Sequence, residues 1–136
     1  MIEVQNLRKR FDDAEVLKGI STTFETGKVN LVIGQSGSGK TVFLKSLLNV
    51  YEPTEGHILF DGRDIVGMSR TEKEALRSEI GTVFQGSALF DSMTVQDNIM
   101  FPLDMFTNLT FTEKKKRVRE VMGRVHLENA EKKFPS

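Results

Sequence analysis

Apolar positions in the first third of the chain follow the spacing of β-structure. Ile2, Val4 and Leu7 open one predicted strand, and residues 16–24 carry the β-branched side chains of a second. Residues 29–33 differ, because this run is almost continuously apolar and leads into glycines. That pattern is typical of a strand covered on both faces of a parallel sheet.

The apolar spacing becomes helical after these glycines. Phenylalanine and leucine side chains recur at helical spacing between residues 43 and 48, and Asn49 precedes a helix-ending Glu-Pro pair. A hairpin is predicted over 58–65, because its Asp61-Gly62 pair suits a tight primed turn. Three more elements are predicted: a helix over 69–77, a strand over 80–84, and a helix with a capping box at Thr110 and Glu113 and an apolar stripe of Val118, Val121, Met122 and Val125.

Composition and charge exclude several functional classes of protein. The chain has 136 residues, which is a length for one domain, and its 19 Lys and Arg balance 19 Asp and Glu. A neutral chain has no overall field to attract phosphate backbones, so we expect no nucleic-acid partner. The sequence contains no Cys, which excludes disulfides and thiolate metal sites. No apolar run reaches the roughly 20 residues of a membrane span, and the composition fits the cytoplasm.

One motif carries recognisable chemistry, the phosphate loop of residues 34–41. Its glycine, four residues and Gly-Lys-Thr match the Walker A pattern for binding a nucleoside triphosphate. Glycines let backbone N–H groups wrap closely around phosphates, the lysine reaches the β- and γ-phosphates, and the threonine hydroxyl is a ligand for Mg²⁺. The predicted nucleotide-binding residues are Gly34, Gln35, Ser36, Gly37, Ser38, Gly39, Lys40 and Thr41.

The loop alone leaves several functions open. A Gly/Ser-rich turn between a strand and a helix could produce part of this pattern, although a complete match by chance is rare. Kinases, GTPases and transport ATPases all use such a loop, so the remaining segments have to distinguish them.

The order of five segments resembles the N-terminal half of an ABC transporter ATPase subunit. These segments are residues 6–11, 16–21, 34–41, 51–62 and 83–85. The resemblance implies an α/β P-loop NTPase fold, with an ABC-type nucleotide-binding domain that includes an antiparallel β subdomain and the start of a helical subdomain. We therefore predict a nucleotide-binding core and β subdomain over 1–85, and the Q-loop with the start of the helical subdomain over 86–136.

The same resemblance implies further site residues. Phe11 takes the place of the aromatic side chain that stacks on adenine, and Val16 lines the same base. Gln85 takes the place of the Q-loop glutamine, which reaches Mg²⁺ and the attacking water, so Gln85 and Lys40 are the predicted catalytic residues. Each has a simpler alternative: Phe11 could be a core residue, and Gln85 an ordinary surface glutamine.

Two other polar features receive structural interpretations. Asp61 follows an apolar run, as a Walker B metal ligand does, but it leads directly into Gly62 and a second strand, which favours a hairpin turn. The basic run at 114–119 shares its helix with Glu113 and Glu120, which favours a solvated helix face over an anion site.

The region after Gln85 resembles one subgroup of the family. Residues 88–95, 98–99 and 101–103 are similar to the ATPases of phospholipid-trafficking systems of the maintenance-of-lipid-asymmetry or MCE type. The resemblance implies ATP and Mg²⁺ as cofactors, a second ATPase subunit as a homodimer partner, and a permease contacted through the region after Gln85. ATPases of amino-acid or metal-chelate importers are the nearest alternatives.

The family's signature motif, Walker B strand and switch histidine are absent from the sequence. We therefore expect the chain to be the N-terminal part of a longer ATPase on the inner face of the plasma membrane, inactive by itself. Strands flanking residues 29–33 would then be missing, leaving an apolar, unpaired edge. The rival class is a complete P-loop kinase or nucleotide-binding domain.

Overall fold

A four-stranded antiparallel sheet dominates the first unit of the chain, Met1–Gly81. The structure is a computed structural model and describes residues 1–84, 86, 88–127 and 129–135. The strand order in the sheet is β2-β1-β3-β4. Its strands are β1 (Ile2–Phe11), β2 (Ala14–Phe24), β3 (Glu55–Phe60) and β4 (Arg63–Asp64).

Alternating apolar side chains of this sheet form the core of the first unit. Leu7 and Ile58 are fully buried, and Leu17 is nearly so. Helix α1 (Lys40–Leu47) adds Phe43 to this cluster, and helix α2 (Arg70–Ser78) adds Leu76. The core therefore lies on the sheet face that carries the helices, as expected for strands with one apolar face.

Tight turns and caps in this unit follow their sequence signals. The hairpin predicted over 58–65 is confirmed, with positive φ at Asp61 (47°) and Gly62 (78°) in the turn between β3 and β4. Helix α2 (Arg70–Ser78) confirms the helix predicted over 69–77, and Ser69 and Glu72 form its capping box. Helix α1 spans Lys40–Leu47, and a short 3₁₀ turn spans Ile65–Gly67.

The described part of the second unit, Thr82–Ser136, contains two helices. Helix α3 spans Val95–Phe106 and α4 spans Phe111–Arg124, and the predicted capping box at Thr110 and Glu113 is confirmed. Of the predicted apolar stripe, Val118 and Met122 are buried with Met100 of α3, whereas Val125 lies beyond the helix and is exposed. None of the described helices has the length and apolar composition needed to cross a bilayer.

Two predicted strands do not form among the described residues. Neither 29–33 nor 80–84 is assigned as a strand, so both predictions are wrong for this structure. Val29 is 101% exposed and Val83 is 99% exposed. A strand requires the backbone groups of a neighbour, and no described strand pairs with either run. Apolar side chains of 29–33 are exposed, as expected for a run without neighbouring strands, but they do not form the sheet edge that was predicted.

Candidate nucleotide-binding site

The phosphate loop has the backbone geometry that its glycines permit. Gly37 has φ 79° and Gly39 has φ 93°, both in the left-handed region that side chains disfavour. A Cβ atom at Gly34 would come within 2.7 Å of Ser38 Oγ, so this glycine allows the loop to fold back closely on itself. Around Gly37 nothing lies within 4 Å of such an atom, so this part of the loop faces open space.

Lys40 lies across the loop that precedes it. Its Nζ donates hydrogen bonds to the carbonyl oxygens of Gly34 at 2.8 Å and Gln35 at 2.7 Å. A third bond, from the Ser38 N–H to the Gln35 carbonyl at 3.2 Å, tightens the same turn. The loop is therefore held by bonds between near neighbours, and an ammonium group lies at its centre.

The N-terminus of α1 lacks the side-chain cap that the other α-helices have. Ser69, Thr94 and Thr110 each cap their helix and complete a capping box. At α1 the capping position is Gly39, which makes no side-chain hydrogen bond. The first N–H groups of α1 are thus open to an external acceptor, and the helix dipole adds to their attraction for an anion.

Strand β2 lies directly against this loop. A Cβ atom at Gly39 would meet Val16 Cγ1 at 3.2 Å and Leu17 Cδ2 at 3.3 Å, so glycine is needed for the close approach. Val16 also lines a shallow cavity of about 560 Å³ together with Gly37 and Ser38 of the loop. The structure therefore places Val16 beside the phosphate loop, and its predicted contact with the adenine base stays a prediction.

Phe11 lies at the end of β1 and is partly covered by other side chains. It does not line the cavity that contains Val16. Its ring packs edge-to-face with Tyr51, with centroids 5.2 Å apart, and Lys9 Nζ lies 4.9 Å from its centroid. Phe11 is 37% exposed as a residue, which leaves surface for a ligand.

The remaining predicted residues differ in what the structure describes. Gln35, Ser36 and Thr41 are exposed, with Thr41 in the first turn of α1. Gln85 lies outside the described residues, so its role stays a prediction.

Tyr51 and Lys9 were not predicted as site residues. Both contact the Phe11 ring: Lys9 lies two positions earlier in β1, and Tyr51 lies in the segment after α1, 40 positions away (51 minus 11).

Comparison with known proteins identifies the family. A sequence profile described as "ABC transporter" matches residues 17–136. The chain belongs to the ABC transporter family. The resemblance to an ABC transporter ATP-binding domain is confirmed for the family as a whole. The predicted P-loop NTPase fold of the ABC type is confirmed as well.

Individual relatives of this ABC chain carry different names. It is 40% identical over 134 residues to the "Probable ribonucleotide transport ATP-binding protein mkl" of Mycobacterium bovis, covering 98% of this chain and 37% of that protein. It is 39% identical over 139 residues to the "Methionine import ATP-binding protein MetN 1" of Rhodococcus jostii, covering 99% of this chain and 41% of that protein. The chain thus spans about two fifths of the length of these curated relatives.

Solved structures have the same fold. The ATP-binding cassette MJ0796, described as a dimer in a post-hydrolysis state bound to ADP and Pi, superposes with a TM-score of 0.83 at 26% identity. The match covers 99% of this chain and 62% of that one. A second match, cbiO1 from Clostridium perfringens, has a TM-score of 0.84 at 30% identity, covering 98% of this chain and 53% of that one.

Proposed function

We propose that this ABC chain binds Mg²⁺-ATP through its phosphate loop. The observation that carries the proposal is the uncapped N-terminus of α1, set behind a glycine loop with an ammonium group at its centre. Backbone N–H groups and one lysine are the donors that bind a polyphosphate. The open space around Gly37 leaves room for it.

Each site residue receives a role that its position supports. Lys40 exchanges its bonds to the loop carbonyls for bonds to the β- and γ-phosphates, a charge-assisted contact with a compact cation. Gly34, Gln35, Ser36, Gly37, Ser38 and Gly39 supply the surrounding backbone. The exposed Thr41 hydroxyl fits a ligand of Mg²⁺, which would neutralise phosphate charge. Phe11 stacks on adenine, and Val16 contacts the same base from β2.

Hydrolysis and coupling belong to a larger assembly. We assign Gln85 to the Mg²⁺ and attacking-water region, and the segment after it to contact with a transmembrane permease. In this proposal 1–85 forms the nucleotide-binding core with the β subdomain, and 86–136 starts the helical subdomain. A second ATPase subunit completes the site, and hydrolysis drives transport at the inner face of the plasma membrane. The dimeric neighbour bound to ADP and Pi supports this assignment.

For the transported cargo we propose phospholipid. The support is the resemblance of residues 88–95, 98–99 and 101–103 to ATPases of phospholipid-trafficking systems. Import of a small solute is the second candidate, because the relative from Rhodococcus jostii is named as a methionine import protein. Reconstitution with the cognate permease decides between them, because phospholipid exchange between vesicles and methionine uptake are separate assays.

Binding of ATP is tested directly by calorimetry on the chain with and without Mg²⁺. We expect saturable binding of ATP and weaker binding of AMP, because AMP lacks the phosphates that reach Lys40. In an assembled transporter, Gln85→Ala should retain ATP binding and reduce transport-coupled hydrolysis. Equal affinity for ATP and AMP would contradict the phosphate-loop assignment.

A further inference from the structure

An aromatic and cationic cluster joins the end of β1 to the end of α1. Its members are the rings of Phe11 and Tyr51 and the ammonium groups of Lys9 and Lys45. Lys45 Nζ lies 5.2 Å from the Tyr51 centroid, and Lys9 Nζ lies 4.9 Å from the Phe11 centroid. With the rings themselves 5.2 Å apart and at 81°, the four groups form one continuous chain of contacts.

Backbone hydrogen bonds fix the Tyr51 end of this cluster to α1. The N–H groups of Val50 and Tyr51 both donate to the carbonyl oxygen of Lys45, at 2.8 and 3.3 Å. Lys45 lies in the last turn of α1, whose first turn follows the phosphate loop. The position of Tyr51 is therefore set by the same helix that holds the phosphate site.

Further hydrogen bonds fix the segment after Tyr51 to β1. Lys9 Nζ donates to the Glu52 carbonyl at 2.7 Å, and the Thr54 N–H donates to the Arg8 carbonyl at 2.9 Å. The Arg10 N–H donates to Thr54 Oγ1 at 3.0 Å. Phe11 follows directly, so both ends of the ring pair are held by backbone elements.

We propose that Tyr51 is a positioning residue that sets the Phe11 ring at a fixed distance from the phosphate loop, and so favours nucleotides whose base lies at that distance. This inference rests on the proposed role of Phe11 in stacking on adenine. A ring free to rotate would lose conformational entropy when a base stacks on it, and contact with Tyr51 removes that loss beforehand.

The chain provides its own probe for this cluster. Tyr51 is the single tyrosine, and there is no tryptophan, so emission excited at wavelengths that phenylalanine does not absorb reports on Tyr51 alone. ATP bound with adenine on Phe11 should change this emission. Inorganic tripolyphosphate, which has no base, should leave it unchanged while occupying the loop.

The decisive experiment compares the affinities of ATP and tripolyphosphate by calorimetry in Tyr51→Leu, Tyr51→Phe and Phe11→Ala. We expect Tyr51→Leu to weaken ATP by about 2- to 10-fold, the range of an aromatic pair, with tripolyphosphate unaffected. Tyr51→Phe retains the ring and should retain both affinities. Thermal melts of each variant report on folding separately.

Different outcomes overturn different claims. If Phe11→Ala weakens ATP selectively and Tyr51→Leu does not, the positioning role is wrong while the stacking role stands. If Tyr51→Leu weakens both ligands equally, or Tyr51→Phe behaves like Tyr51→Leu, ring contact with Phe11 is not the cause and the inference is overturned. If Phe11→Ala has no selective effect, or the unsubstituted chain binds no ATP, the proposed function fails and the inference fails with it.

Discussion

The phosphate loop and the apolar segment immediately before it, residues 29–33, have opposite structural outcomes. The loop is ordered by bonds between near neighbours, such as Lys40 Nζ to the Gly34 and Gln35 carbonyls. In the apolar segment Leu31 and Ile33 are 83% and 80% exposed, although both are typical core side chains. Adjacent stretches of one chain thus differ because one satisfies its polar groups locally and the other needs remote partners.

Strand β3 shows what residues 29–33 would require. Ile58 lies in a strand paired with β1 and is fully buried. Only Val32 of the 29–33 run is partly buried and packed against the core. The apolar composition of a segment therefore sets the free energy that its burial would contribute, and backbone pairing decides whether the segment is buried.

The largest expected effect comes from a matched pair of isoleucines. Ile58→Ala should destabilise the first unit by about 2–5 kcal/mol, because it removes buried methyl groups and leaves a cavity. Ile33→Ala removes the same atoms from an exposed side chain and should change stability by less than about 0.5 kcal/mol. Urea unfolding followed by Tyr51 emission measures both. Equal losses would show that residues 29–33 are buried in solution.

Lys40→Ala tests whether the ammonium group in the phosphate loop binds the phosphates of ATP. We expect ATP affinity to fall by about 100-fold, because charge-assisted bonds to phosphate are lost from a site otherwise made of backbone dipoles. Lys28→Ala is the matched control, since it removes the same charge from an exposed residue outside the loop. Calorimetry distinguishes the two, and similar losses would attribute binding to general charge.

Gly37→Ala and Gly27→Ala form a second matched pair. Both glycines have positive φ, 79° and 74°, and neither has a neighbour within 4 Å of the added Cβ. Each substitution should therefore cost about 1 kcal/mol of backbone strain. Only Gly37→Ala should also weaken ATP binding, because only Gly37 lies in the loop. A parallel loss of ATP affinity in Gly27→Ala would remove this distinction.

The smallest effect concerns a local cap in the second unit. Hydrogen bonds from the Thr110 side chain and N–H lower the pKa of the Glu113 carboxyl. A carboxyl with a lowered pKa in the folded state contributes stability above its unfolded pKa, and this stability is lost as pH falls through the folded pKa.

Circular dichroism between neutral and acidic pH measures this cap. Helix α4 should lose helicity on acidification, and Thr110→Ala should reduce the pH dependence along with the cap. Thr112→Ala is the control, because Thr112 lies inside α4 and is not its capping residue. An identical acid response in all three chains would show that the cap does not contribute.

Features that depend on near neighbours were predictable from the sequence. The capping box at Thr110, the Asp61-Gly62 turn and the glycine loop are all formed by residues a few positions apart. Their geometry follows from the residue types at those positions, whatever the rest of the chain does.

Features that depend on distant partners were not predictable. The contact between Phe11 and Tyr51 joins positions 40 residues apart (51 minus 11), and no periodicity indicates it. The strand predictions for 29–33 and 80–84 were wrong for the same reason, since an apolar run gives no information about which segment will pair with it.

The sequence by itself determined the phosphate loop, the helix caps and the family, because these are patterns of residue type at fixed short spacing. Only the tertiary structure decided that Val16 approaches within contact distance of Gly39, that Tyr51 meets Phe11, and that Ile33 stays exposed. The physical reason is that side-chain packing and strand pairing depend on which distant segments meet, and that is a property of the whole fold.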